Sequence, residues 1–235
     1  MSMSASGAEV DLSVPSRAIG EPARGRMLTA LLGGRSLPAG ELARLSGVAP
    51  STASEHLRML VEHGLLSVSV LGRHRYFTLA SVEVAQALEA LQAIAPPVPV
   101  RSLRQHRVAQ ELRGGRRCYD HLAGSLGLRV TDLLLVAGVL PRLQPGQTVD
   151  VLRLAGSDPG VVQRLNLDAV GGSSRRPMVR GCLDWTERRA HLGGRLGAHL
   201  LDLFRQNGWV VERPSSRAVR LTEEGAAILV ALEAS

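Results

Sequence analysis

Between Ala39 and Leu79 the chain carries a pattern that few folds satisfy: two short helical segments held apart by a tight turn, then a hairpin. Gly40-Glu41-Leu42-Ala43-Arg44-Leu45-Ser46 reads as a helix closed by Gly47. Val48 and Ala49 complete the turn, and Pro50 with Ser51 supplies the start of a second helix, Pro fitting its opening turn and Ser its cap. In that helix Ala53, Leu57, Leu60 and Val61 fall at i, i+4, i+7 and i+8, one buried stripe. The opposite face presents Thr52, Ser54, Glu55 and Arg58, with His56 at its edge. Gly64 ends the helix. Leu66–Val70 and His74–Leu79 then flank Leu71-Gly72-Arg73, a hairpin with Gly72 for the turn and Arg73 at the tip. A turn-helix pair followed by an arginine-tipped hairpin outlines a winged helix-turn-helix, whose second helix reads base edges in the major groove while other groups hold phosphates. The residues expected at duplex DNA are Ser51, Thr52, Ser54, Glu55, His56 and Arg58 on the helix, and Arg73, His74 and Arg75 on the hairpin. The competing reading is a small α+β core that binds no nucleic acid.

Charge supports an anionic partner, but weakly. The formal net charge is +7 and all 28 basic residues are arginine, at an isoelectric point near 10.9. From Glu21 to Ala95, however, seven arginines face six acids, whereas from Arg101 to Arg117 six arginines face Glu111 alone. The excess lies outside the reading head. Aromatic content is 3%, so the cores must be aliphatic.

At 235 residues the chain is expected to make two domains. Residues 1–20 are rich in Ser, Ala and Gly without periodicity and read as disordered. Residues 21–95 hold the DNA-binding and dimerisation domain, beginning with a helix over Pro22–Leu32 that Gly33-Gly34 ends. After the hairpin Ser81 caps a helix in which Val84, Leu88, Leu91 and Ala95 repeat at helical spacing, a stripe that must bury itself on something. Its covering is either a second copy of the chain or the chain's own C-terminal half. Pro96-Pro97-Val98-Pro99 opens a linker over 96–102, and residues 103–235 form the second domain, starting with a basic helix over Leu103–Leu112.

That second domain repeats itself. His121–Leu140 and His191–Val210 align without a gap at eight identical positions of twenty: His, Leu, Gly, Leu, Gly, Asp, Leu, Gly. Each copy continues in the same order. In the first, Val139–Leu143 and Thr148–Leu154 straddle a turn, and Asp158-Pro159-Gly160 opens a helix. In the second, Trp209–Arg213 and Ala218–Leu221 straddle Pro214-Ser215-Ser216, and Thr222 caps a final helix. The expected fold is therefore mainly α with small β wings (α+β). It comprises an N-terminal winged helix-turn-helix and a C-terminal domain of two duplicated winged-helix-like units facing each other across a pseudo-two-fold axis.

Cys118 and Cys182 are the two cysteines, far apart and without a Cys-x-x-Cys zinc pair. Each sits near a histidine, His121 or His191, where its copy begins. If the segment is helical, Cys118 and His121 share one face. Gathered together, the four would suit a soft divalent metal or haem iron. The alternatives are buried packing groups, a thiol redox pair, or a thiol enzyme with Cys118 as nucleophile and His121 as base. No phosphate loop or nucleophile elbow supports catalysis. No signal pattern or span-length apolar run occurs, so a soluble cytoplasmic protein without a membrane partner is expected.

Glu41-Leu42-Ala43, Ser51-Thr52-Ala53-Ser54-Glu55-His56-Leu57, Gly64-Leu65-Leu66 and Gly72-Arg73-His74-Arg75-Tyr76 together resemble the ArsR/SmtB family of dimeric bacterial repressors. The resemblance covers the first hundred residues or so, and the second half is similar to that of a long-form branch grouped with cadmium- and lead-type repressors. It implies a homodimer paired through Val84, Leu88, Leu91 and Ala95, an inverted-repeat operator in double-stranded DNA, and release of repression by an effector. Where family members carry sensor cysteines before the turn, this chain has Pro38 and Gly40; where others carry ligands on the dimer helix, it has Val84, Ala87 and Leu91. The effector, a small molecule or a metal, is then expected to bind the duplicated domain. No cofactor follows with certainty; a soft divalent metal ion is the candidate.

Overall fold

The computed structural model describes residues 10–96, 99–171, 174, 176–213 and 216–234. Their chain forms two compact units, one taking residues up to Leu31 and Ser36–Val84, the other Leu32–Arg35 and the chain from Ala85 onward.

The first unit runs α1 (Ser13–Ile19), α2 (Pro22–Leu31), β1 (Leu37–Pro38), α3 (Ala39–Ser46), α4 (Pro50–Glu62), β2 (Leu66–Leu71) and β3 (His74–Leu79). Gly47 ends α3 in the left-handed conformation, φ 71°, which a side chain would strain. The strands make an antiparallel sheet in the order β1-β3-β2, with Leu37 opposite Phe77 and Leu66 opposite Leu79. Met27, Leu28, Leu42, Ala53, Leu57, Leu60, Phe77 and Leu79 are buried here, the aliphatic stripes of the helices covering one face of the hairpin. Val61 is only half-buried.

Two expectations change. Within the segment read as disordered, residues 1–9 lie outside the described residues, whereas Ser13–Ile19 is a helix. The Arg24 guanidinium donates to the carbonyls of Arg17 (2.8 Å) and Ala18 (2.6 Å), satisfying helix-end acceptors that composition does not reveal. Ser51 is not the cap of α4: Ala49 takes the extended cap position with no side-chain bond, and Pro50 opens the helix, so Ser51 stands in the first turn.

The second unit is built from α5 (Val82–Ile94, from Ala85), α6 (Leu103–Gly114), β4 (Arg116–Cys118), β5 (His121–Ala123), α7 (Gly124–Val136), β6 (Thr148–Val149), α8 (Pro159–Arg164), a 3-10 turn (Leu167–Ala169), β7 (Val179–Leu183), β8 (Ala190–Gly193), α9 (Gly194–Gln206), β9 (Val210–Glu212), β10 (Val219–Leu221) and α10 (Glu223–Glu233). The repeated sequence folds alike at its start: an antiparallel hairpin, β4–β5 or β7–β8, runs into a 13-residue helix. Each helix opens on a glycine at positive φ, Gly124 at 74° and Gly194 at 83°. Each hairpin also packs on the other copy's helix, β5 on α9 and β8 on α7. Leu126, Val130, Leu134, Leu196, Leu200 and Phe204 fill the core between them.

Downstream the copies diverge. Val210–Glu212 and Val219–Leu221 form the expected hairpin, and Thr222 accepts from the Gly225 amide to cap α10. Pro214 and Ser215, in its turn, lie outside the described residues, as do Pro97 and Val98 of the linker. The hairpin expected over Val139–Leu154 does not form. Thr148–Val149 pairs instead with Val179–Arg180 of β7, because Pro141 and Pro145 remove amide donors from the approach. Asp158 does open α8, accepting from the Val161 amide at 2.9 Å.

Candidate DNA-reading head and buried cysteine–histidine centre

In the first unit α4 leaves Ser51, Thr52, Ser54, Glu55 and Arg58 exposed, while Ala53, Leu57 and Leu60 point inward. The hydroxyl of Ser54 donates to the Pro50 carbonyl at 2.9 Å, leaving its lone pairs outward. Arg58 is held by Glu55 at 2.7 Å and Glu62 at 2.5 Å, so its guanidinium is partly neutralised until a phosphate or base displaces a carboxylate. Arg73, His74 and Arg75 are exposed on the β2–β3 hairpin, and the Arg75 guanidinium lies 5.7 Å from the Phe77 ring centroid. Gly72 makes the turn at φ 59°. His56 departs from expectation. It turns toward α2, its Nδ1 3.3 Å from the Arg24 guanidinium and its Nε2 3.5 Å from Glu21, and it leaves the outward set.

The stripe expected to bind a partner is divided. Ala85, Leu88, Glu89 and Ala93 are the buried face of α5, and Glu89 pairs with Arg217 at 2.6 Å inside the second unit. Leu91 and Ala95 remain exposed with Ile94 beside them, and Val84 is half-buried. Leu88 is thus covered by the chain's own second unit. A helical stripe in the sequence does not distinguish a partner's surface from the chain's own.

The second unit brings together all four sulfur and imidazole groups. Cys118 and His121 are cross-strand partners in β4–β5, and Cys182 and His191 in β7–β8. They meet across a hairpin, not along a helix face, which corrects the helical alternative: the Tyr119-Asp120 turn, with Tyr119 at φ 60°, reverses the chain. Ligand atoms of Cys118, His121 and His191 lie within 4.8 Å of one another, and the two imidazole rings stand 5.2 Å apart. The Cys182 sulfur is beside Cys118 and His121. All four residues are buried.

Carboxylates surround this centre. Asp120 bonds His121 Nδ1 at 3.1 Å and is clamped by Arg176. Asp184, fully buried, accepts from the Gly124 amide at 2.6 Å, from Thr186 at 2.9 and 2.6 Å, and faces Arg116 at 3.0 Å. It lies 3.5 Å from His191 Nδ1. Arg116, itself fully buried, also lies over the Trp185 ring. Burial works against the charge of His121, but Asp120 and the Cys182 sulfur outweigh it and raise its pKa to about 9. The Cys118 thiol and His121 lower the Cys182 pKa against its burial, whereas Cys118 is pushed up by Cys182 and by burial. His191 is held neutral by burial and by the neighbouring His121 cation.

Asp120, Asp184, Arg116, Arg176 and Gly193 escape a sequence reading, although a signal exists. Both copies contain Cys-x-Asp, Cys118-Tyr119-Asp120 and Cys182-Leu183-Asp184. The cysteines are 64 residues apart and the histidines 70; the longer second turn breaks the ungapped alignment between them.

Comparison with known proteins agrees with the geometry of the first unit and extends beyond it. A family model described as a helix-turn-helix domain matches residues 19–69. The HTH-type transcriptional regulator YdfF of Bacillus subtilis (strain 168) is 38% identical over 208 residues, spanning 88% of this chain and 90% of that protein. Among solved structures, HlyU from Vibrio cholerae N16961 is 30% identical with a TM-score of 0.32, over 34% of this chain and 86% of HlyU. The cadmium metal-sensor CMTR from Mycobacterium tuberculosis is 31% identical with a TM-score of 0.31, over 40% of this chain and all of CMTR.

Proposed function

The chain belongs to the family of HTH-type transcriptional regulators, and on that premise we propose a homodimeric repressor of the ArsR/SmtB type whose C-terminal unit senses an effector. The observation that carries the reading is the outward polar face of α4, with the Arg73 wing on the same unit. Ser51, Thr52, Ser54 and Arg58 supply short donors and a cation from the opening turns of a helix, the part that enters a major groove. Glu55 serves best as the partner of Arg58, since a carboxylate near phosphates weakens binding unless it accepts from a cytosine amino group. Arg73, His74 and Arg75 hold the backbone. Leu91, Ile94 and Ala95, exposed on α5, are the surface for a second copy.

Two like subunits related by a two-fold axis read half-sites about one helical turn apart. Selecting bound fragments from the native genome tests this directly. The expected result is an inverted repeat bound selectively, with affinity falling as salt rises. Equal affinity for all duplexes, or none, would overturn it.

The C-terminal unit is read as two diverged copies of one hairpin–helix unit. Support comes from the ungapped repeat and from the reciprocal packing of β5 on α9 and β8 on α7. A regulator acting on chromosomal DNA is cytoplasmic, and no helix among the described residues is long and apolar enough to cross a membrane. Burial of both thiols and both imidazoles favours a bound ion or a redox pair over a thiol enzyme, which needs an accessible nucleophile.

A further inference from the structure

We propose that Cys118, His121, Cys182 and His191 form a binding site for a soft divalent cation of the zinc class. Two sulfurs and two imidazoles are the donor set such an ion takes in a closed four-coordinate site. The two hairpins deliver them from opposite sides, each contributing one cysteine and one histidine as cross-strand partners.

Three features point to an ion rather than to packing. Buried polar atoms are ordinarily hydrogen-bonded, yet His121 Nε2 and both ring nitrogens of His191 are buried without a hydrogen-bond partner. Outer carboxylates face the ring nitrogens that would point away from the ion. Asp120 holds His121 Nδ1 at 3.1 Å, and Asp184 lies 3.5 Å from His191 Nδ1, leaving each Nε2 toward the centre. Room is also kept by a missing side chain. A Cβ on Gly193 would stand 2.9 Å from the Cys182 sulfur and 3.1 Å from His121 Nε2.

Charge closes as well. Asp120 is matched by Arg176 and Asp184 by Arg116. A divalent ion with two thiolates adds no net charge, so the filled centre is neutral where an uncompensated charge would be costly. Neither position at which the resembled family places its sensor ligands is involved; those hold Pro38, Gly40, Val84, Ala87 and Leu91. The site stands independently of DNA binding and is read without it.

The test uses the full-length reduced chain, stripped with chelator and titrated anaerobically with Co(II), then Zn(II). One equivalent per chain should bind, with thiolate-to-cobalt charge transfer and the ligand-field bands of a tetrahedral ion, both erased by Zn(II). Cys118→Ser and Cys182→Ser should each remove roughly half of the charge-transfer intensity, and the double variant all of it. His191→Gln should keep the charge transfer and weaken binding at least tenfold, and Asp120→Asn should weaken it about 10- to 100-fold. Should the cysteine variants fail to fold, the unmodified chain answers by itself: Zn(II) should protect both thiols from alkylation. A folded, reduced chain without charge transfer, a spectrum unchanged in the double variant, or equal alkylation with and without Zn(II) would overturn the proposal. So would a Cys118–Cys182 disulfide that forms readily and resists mild reductant while Co(II) finds no site.

Discussion

His121 and His191 hold the same place in the two halves of the C-terminal repeat, and their rings face each other at 5.2 Å, tilted by 36°. Each arrives with its own cross-strand cysteine, so neither half completes the centre alone. Gly193 shapes the space between them. Gly193→Ala should cost about 1–3 kcal/mol in urea unfolding, because the added methyl must displace a sulfur and an imidazole. Gly171 has nothing within 4 Å of an added Cβ, and Gly171→Ala should be near neutral. Equal effects of the two substitutions would contradict the packing described.

Asp184 joins the two copies through the backbone. From the β7–β8 turn it accepts the first amide of α7 and faces Arg116, with both side chains fully buried. Asp184→Ala leaves that arginine charge and the Gly124 amide without their acceptor, and should destabilise the fold by about 3–5 kcal/mol. Asp132→Ala, which breaks an exposed pair with Arg189, should cost about 0–1 kcal/mol. Thermal or urea unfolding of the two variants side by side decides the point.

Glu89 and Arg217 bear on how sensing is to be dissected. Glu89→Ala should destabilise the full-length chain by about 3–5 kcal/mol, since it strands a buried guanidinium. For the same reason a chain cut after Pro99 uncovers Ala85, Leu88, Glu89 and Ala93. Sedimentation of that fragment should show aggregation or loss of α5 helicity rather than a clean dimer. A stable, helical dimer of the fragment would show that α5 does not depend on the second unit.

The reading head was legible because turn chemistry and helical period agree along Ala39–Leu79: Gly47, Gly64 and Gly72 all take the positive φ their places demand. The repeat was legible as identity, and its hairpins were not. Strands as short as His121–Ala123 carry too few residues for alternation to register, and the added residues in the second turn hide the matching Cys-x-Asp. His56 and Leu88 illustrate a different limit. A residue at the edge of a helical face is assigned by what packs beside it, and for these two the neighbours come from α2 and from the C-terminal unit.

Arg73 should act on every DNA sequence alike. It stands exposed at the tip of the β2–β3 hairpin, beside Gly72, where a guanidinium meets phosphate rather than base. Arg73→Ala should weaken operator and non-operator binding together and reduce the slope of log affinity against log salt by about one. A loss confined to the operator would move Arg73 into the base-reading set.

The central claim is that the outward face of α4 reads sequence, and one titration tests it most directly. Operator affinity is measured for the unmodified chain and for a Thr52→Ala, Ser54→Ala, Arg58→Ala variant whose circular dichroism is unchanged. Each lost base contact should remove about 1–3 kcal/mol, so selectivity for operator over random duplex should collapse while salt-dependent binding persists. Unchanged operator affinity in the folded triple variant would contradict the account.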